Sequence, residues 1–522
     1  LLGDLFGVED RDPLVFLDLR PEVAKVILGL GGEAALHLFG LGRETSILNL
    51  SGTRSKEEIL ARVAERVAQT PRGRWIVGRG WDQNDWPLKA FPHRRDLDGV
   101  APEHPLFLKR VDGHAAWVNS RALALTDIRK GTPDPPGGKI LHDARGVPTG
   151  ILLDAAVDLV ARVVPQPMAE ERRAIFLNGV RVCLAAGIGC AHDMGLTETD
   201  IAILVAEAEA GALPFRLVGY IDGTGSAWED LLRTGRRTYG DDRFTLAGLK
   251  MYADGALGSR GALLLADYED DPGNRGIAVS SGEDIAHEAA RALRAGLQVC
   301  VHAIGDSANR LVLDAYERAL REAGPARFPL RIEHVQVLDE ADLLRFAALG
   351  VVPSVQPSHC TSDMYWAEAR LGPRRVRGAY RWRSLLLSGA FTAGGSDAPV
   401  ERPDPIQGIY AACTRRDAAG RPSSQQDITE HFVLPAGTAP NPDRYADGWY
   451  GTERVSRIEA IRMFTGWAAR AAGMDDILGS LEAGKYADFV VLSKDISSVP
   501  DQEILQTEIL ATYIGGKIRH RK

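Results

Sequence analysis

Four residues of types that bind and drive a hydrolytic metal centre occur in a fixed order, each at the end of a predicted strand. They are Lys250 in GLKMYADGALGSR, His302 in LQVCVHAIGD, His334 in LRIEHVQVL and Asp397 in FTAGGSDAPV. Imidazole nitrogens and carboxylate oxygens suit a borderline cation such as zinc, and a metal site with an open position activates water. A polar side chain at the end of an apolar strand is how catalytic residues stand at the C-terminal face of a (β/α)8 barrel. Core packing alone does not produce four such coincidences in succession. The chemistry they predict is metal-assisted hydrolysis.

The elements that must position these residues are legible between them. From His302 to His334 the chain passes through the helical stretch SANRLVLDAYERALREAG and the apolar strand PLRI, which is one β-α unit. From His334 to Asp397 there is room for two more: DEADLLRFAALG leads into VVPSVQP, and RWRSLLLSG leads into FTAGGSD. Strands alternating with helices predict a parallel sheet. Strands apolar throughout predict burial on both faces, as in a barrel. The fold class expected is therefore α/β, a TIM-type (β/α)8 barrel. Upstream, SKEEILARVAERVAQT reads as an amphipathic helix capped by Ser55, and RWIVGRG, PLFLKR, IGCAHDM and RLVGYI read as strands. These are more strands before Lys250 than a barrel needs. The Gly- and Pro-rich stretch from Thr132 to Gly150 predicts a β-hairpin insertion over the barrel mouth.

Taken together, HAIGD, IEHVQ, GSDAPV, KMYADGALGSR and the Gly80-Trp81-Asp82 triplet resemble the amidohydrolase superfamily. The resemblance is to its amidohydrolase-3 branch (YtcJ-like and N-substituted formamide deformylase-like proteins) and covers roughly residues 36 to 520. It implies a metal-dependent barrel with a small accessory β-sandwich built from both chain ends, hydrolysing C–N bonds of amides or related small molecules. It also implies that His302, His334 and Asp397 are metal ligands, with Asp397 the general base on the nucleophilic water. Lys250 matches a lysine that many binuclear members carboxylate to bridge two metals, since a carbamate supplies two anionic oxygens where an ammonium supplies none.

The first metal motif departs from the family. Where a His-x-His is expected, the chain reads GGEAALHLFGLG, so that His37 aligns with the second histidine and Ala35 with the first. A methyl group ligates nothing. The preceding LLGDLFGVEDRDPLVFLDLRPEVAKVILGLG does not resemble the β-strands the family places there. The organisation expected is thus a divergent or truncated N-terminal segment over 1–34 and a hydrolase barrel over 35–435, with an insertion at about 130–155. The end of the barrel and the sandwich strands, including SLEAGKYADFVVLSKDI, follow over 436–522. The cofactor expected is a divalent metal, zinc first, as one or two ions, with a carboxylated Lys250 in the second case.

Composition places the chain among soluble enzymes. Its 522 residues exceed a single ordinary core, so a large domain with an accessory one is expected. A net charge of −8 without a basic stripe argues against nucleic acid as a partner. The five cysteines are dispersed with no C-x-x-C pair, as in a reduced, cytoplasmic protein. No apolar run reaches the ~18 residues of a membrane span. A small-molecule substrate, no nucleic acid, no membrane, and a homodimer as the assembly to test are the partner expectations.

Around the metal set, Trp81, Asp82, Asp112, His114, His192, Arg260 and His359 are the candidate substrate-binding residues. An aromatic and a few polar groups are what a small-molecule cleft needs. His359 follows the seventh strand and could polarise a carbonyl, while Arg260 could meet an anionic group. Plain structural roles compete with each assignment: Trp81 as core, His192 as a support behind the ligands, Arg260 as a salt bridge, Asp397 as a helix cap, Lys250 as a snorkelling cation. Two other function classes stay open. Ala35 favours a barrel that binds a ligand without turnover, and a mononuclear deaminase-like hydrolase would need only His302, His334 and Asp397.

Overall fold

In the computed structural model the described residues are 14–17, 25–29, 33–111, 115–135, 138–165, 167–435 and 445–522, the side chains of 14–17, 25–29, 84 and 425 excepted. Asp112 and His114 lie outside them. Contacts divide the chain into two units: Leu1–Leu38 with Val180–Lys522, and Phe39–Gly179.

The larger unit is a nearly closed barrel of eight parallel strands. They are β1 (Glu33–Leu36), β2 (Cys190–Leu196), β3 (Arg216–Asp222), β4 (Phe244–Tyr252), β5 (Gln298–Ala303), β6 (Arg331–His334), β7 (Val352–Val355) and β8 (Ala393–Gly394), neighbours in space as in sequence. Parallel neighbours require a crossover, and helices supply it from β2 onwards, among them Gly282–Arg294 and Asp306–Ala323. The local reasons are visible in Gly282–Arg294. The Ser281 side chain caps the Asp284 amide, Glu283 and Asp284 occupy the first turn, and Arg291 and Arg294 the last. Its stripe of Ile285, Ala289 and Leu293 is buried. β4 is buried at every position but Tyr252, which is why its sequence reads as an almost unbroken apolar run. A parallel bridge from Leu36 to Ala398 joins the two ends of the sheet.

The N-terminal segment corrects one expectation. Leu14–Leu17 and Lys25–Gly29 are strands, and the second pairs with Phe489–Leu492. With Ile509–Ile514 and Lys517–Arg521 they complete a five-stranded antiparallel sheet. The C-terminal strands therefore do have N-terminal partners. The runs LVFL and KVILG are β-prone but only four and five residues long, too short to stand out from the charged residues around them. This sheet is tied to the barrel by a buried ion pair, Arg216 with Asp488, each side chain 1% exposed. The Arg216 guanidinium also lies 3.8 Å from the Tyr486 ring centroid.

The surplus strands belong to the second unit. Leu48–Asn49, Ile76–Trp81, Leu106–Arg110, Ala115–Val118, Pro148–Asp154 and Gly138–His142 form a six-stranded sheet in that order, its first two pairings parallel and the rest antiparallel. The whole unit falls in sequence between β1 and β2. Trp81 belongs to its core, fully buried, with Nε1 donating to the Leu108 carbonyl at 2.8 Å and the ring edge-on to Trp117 at 6.2 Å. A substrate contact was expected of Trp81. In this structure its apolar body is taken up by packing and its one polar atom by backbone. Asp82 follows directly at the strand end, half-buried. Among the described residues no helix is long and apolar enough to cross a membrane.

Candidate metal centre

The C-terminal ends of the barrel strands carry the expected donors. His37 follows β1, Lys250 stands in β4, His302 in β5, and His334 ends β6. His359 lies in the helix Pro357–Asp363 after β7, and Asp397 follows β8. His334 and Asp397 leave their strands with φ of +78° and +58°. Left-handed backbone at a non-glycine residue costs about 1–3 kcal/mol and persists where the surroundings over-determine it. Here it falls on two of the proposed ligands, at the turns that aim their side chains.

The imidazoles of His302 and His334 meet edge-on with ring centroids 4.4 Å apart, and the His359 ring lies parallel to His334 at 6.0 Å. His334 Nδ1 is 2.8 Å from Gln356 Oε1. An amide oxygen only accepts, so Nδ1 carries the hydrogen and Nε2 keeps its lone pair. Burial, and then His302, push His334 well below its ordinary value, so the ring is neutral. His302 Nε2 is 3.4 Å from Asp254 Oδ1 and makes no hydrogen bond, and His359 Nε2 is also buried without a partner.

On the other side, His37 Nε2 lies 3.4 Å from Asp397 Oδ1. Burial alone would raise the Asp397 carboxyl. Against it stands first its hydrogen bond with His37, and the carboxyl is held well below the usual carboxylate range. Burial likewise opposes charge on His37, but Asp397 more than offsets it and keeps that ring above its ordinary value. Lys250 is 3% exposed, and burial lowers it from the usual lysine range. Its Nζ sits 3.7 Å from the Tyr252 ring centroid. Ala35 is 1% exposed in an apolar cluster with Cys190, Met194, Val218 and Cys300.

Two of the outer candidates take structural roles. His192 has no exposed surface. Its Nδ1 is 3.0 Å from Arg331 Nη1, inside a buried network with Glu333 and Ser354, so a substrate cannot reach it. Arg260 forms a two-point ion pair with Asp270, Nε to Oδ1 at 3.1 Å and Nη2 to Oδ2 at 3.0 Å, which occupies the guanidinium expected to meet an anion. Two residues unread in the sequence help to build the site. Gln356 orients His334. Asp254, in the same KMYADG stretch as Lys250, accepts from the amides of Leu263, Ile304 and Gly305 and so pins the segment after His302.

Among the described residues no three His, Cys, Asp or Glu side chains already converge on one point. The donors instead approach in pairs, His302 with His334 and His37 with Asp397. A neutral imidazole with a free Nε2, an unpartnered buried His302 nitrogen and an ionised carboxylate are nonetheless the groups such a cation takes. The Ala35 position offers nothing.

A family model described as "Amidohydrolase family" matches residues 36–520. The chain is 33% identical over 497 residues to the putative amidohydrolase YtcJ of Bacillus subtilis (strain 168), covering 94% of this chain and 88% of that protein. It is 29% identical over 479 residues to an N-substituted formamide deformylase of Arthrobacter pascens, covering 89% and 82%. Among solved structures, an uncharacterized metal-dependent hydrolase from Pyrococcus horikoshii OT3 aligns with a TM-score of 0.73 at 27% identity, over 91% of this chain and 87% of that one.

Proposed function

The chain belongs to the amidohydrolase family, and from that membership we propose that it hydrolyses a carbon–nitrogen bond of a small amide, formamide or related compound. The reading rests chiefly on one observation: three histidines and an ionised aspartate gather at the ends of β5 to β8. The similarity to a formamide deformylase and to a metal-dependent hydrolase supports the bond and the cofactor class. In this reading His302, His334 and Asp397 would hold a divalent cation, zinc by ligand type, and His37 and Lys250 would be further ligands. When bound, such a cation lowers the pKa of water towards neutrality and polarises a carbonyl.

The chain's own residues supply the remaining chemistry. Gln356 fixes the His334 tautomer that offers Nε2. Asp397 accepts the proton of the attacking water and returns it to the leaving nitrogen, general base and then general acid. His359 presents an unpartnered Nε2 beside His334, where it can hydrogen-bond a substrate oxygen. Lys250, if carboxylated, would bridge two ions. The packing of Ala35 among apolar side chains favours a second version, in which a single ion is held by His302, His334 and Asp397 and Lys250 stays an amine.

Chelation followed by a substrate screen tests the proposal. Dialysis against a chelator should abolish turnover of N-formyl and N-acyl amines, and added zinc should restore it. Full turnover by metal-free protein would defeat the reading. Metal content per chain separates the two-ion from the one-ion version.

A further inference from the structure

Glu33 opens β1 and is 1% exposed, yet no part of the chemistry above uses it. One of its oxygens, Oε1, accepts from both the backbone amide of Ser396, at 2.6 Å, and the Ser396 hydroxyl. The other, Oε2, has no partner. Behind it lies a small, mostly apolar cavity bordered by Ile188, Ile406, Phe464, Val490 and Leu492. An ionisable side chain in such a place is costly. Burial pushes its carboxyl up to about 7 against the opposing pull of Ser396. For packing alone, an apolar residue would serve better there.

What Glu33 does hold is the seam between the first and last strands. β8 is only two residues long, and the closure of the barrel rests on a few backbone contacts. The Asp397 amide donates to the Ala35 carbonyl at 2.8 Å, and the His37 amide donates to the Ala398 carbonyl at 2.7 Å. A Cβ on Gly395 would come within 2.7 Å of the Ala35 nitrogen, so the two strands touch closely here. The Glu33 carboxylate adds a side-chain rung to this ladder, one residue before Asp397 and four before His37. Those two residues face each other across the seam at 3.4 Å.

We propose that Glu33 is a positioning residue which, through Ser396, sets the spacing and aim of Asp397 against His37. The inference rests on the role given above to those two residues, but the clamp itself is testable without it. The full chain would be compared with Glu33→Ala, Glu33→Gln and Ser396→Ala, and with Ile406→Ala, which loosens the same cavity without touching Ser396. Hydrogen exchange over residues 393–400 reads the clamp, and zinc titration against a chelating dye reads the ligands.

Glu33→Ala should speed exchange at the Ser396 and Asp397 amides and weaken zinc binding about 10- to 100-fold, the usual range for losing an outer-layer support. It should lower kcat more than it alters KM. Glu33→Gln, whose amide oxygen can still accept both bonds, should restore exchange and affinity, which a role of the charge would not predict. Ser396→Ala keeps the amide and should fall between. Adding it to Glu33→Ala should cost less than the sum of the two single changes, because both remove the Glu33–Ser396 contact; what remains is the bond that the Ala398 amide donates to the Ser396 hydroxyl oxygen at 3.1 Å. Ile406→Ala should lower stability and leave the seam's exchange unchanged.

A folded Glu33→Ala protein with wild-type exchange and zinc affinity overturns the proposal, as does a Glu33→Gln protein as impaired as the alanine variant. If Glu33→Ala does not fold, Glu33→Gln and Ser396→Ala carry the same test. A wild-type chain that binds no zinc defeats the hydrolase reading instead, and the exchange measurement still decides the clamp.

Discussion

At the scale of single residues, the ionised state of Asp397 and the tautomer of His334 carry the chemistry. Asp397→Asn preserves shape but cannot take a proton at neutral pH, so turnover should fall by about 100- to 10,000-fold while the fold survives. Unchanged turnover in a folded variant would remove Asp397 from the base role. Gln356→Ala frees His334 Nδ1, and zinc affinity should drop about 10- to 100-fold in a dye-competition titration. An unaltered affinity would mean that the ring is oriented by other contacts. Lys250, His302 and His334 stand out as candidates in the sequence because each falls at the end of an apolar strand, a signal local to a few residues. Gln356, Asp254 and Glu33 do not, because their partners are backbone amides or side chains 9 to 363 residues away. Trp81 and His192 show the opposite case. Their neighbours in sequence resemble those of a pocket residue, and only the fold reveals that packing has closed over them.

At the scale of elements, strand order and crossover helices followed from alternation of apolar runs with amphipathic ones, and from β4 onwards the units fall where the sequence suggests. The short strands were harder. Four- and five-residue runs such as Leu14–Leu17 and Lys25–Gly29 carry little signal of their own and become strands because Phe489–Leu492 offers an edge. That edge is anchored by Arg216 and Asp488, both almost fully buried. Truncating one partner of a buried ion pair leaves an uncompensated charge and costs about 3–5 kcal/mol. Asp488→Ala should therefore lower the urea midpoint clearly. A midpoint within error of wild type would show that the sheet is held by its apolar contacts alone.

At the scale of the whole chain, the sequence interval between the two edges of the barrel has a consequence for how the protein is made. Ser396 and Glu33 are separated by 363 residues, and an entire second unit, Phe39–Gly179, is encoded between β1 and β2. A ribosome delivers β1 first and its lateral partner long afterwards. Loop-closure entropy makes such distant pairings slow, and chains of this size pass through intermediates. β1 can pair with β2 on one side, but its other edge must wait open while the run from β3 to β8 accumulates. The seam should be the last part of the barrel to gain protection when refolding is followed by pulsed hydrogen exchange, with β4 and β5 protected earlier. Simultaneous protection of all eight strands would refute this order. The lateness has a biological cost: a nascent chain carries an open β-edge for most of its synthesis, the interval in which a chaperone has most to do.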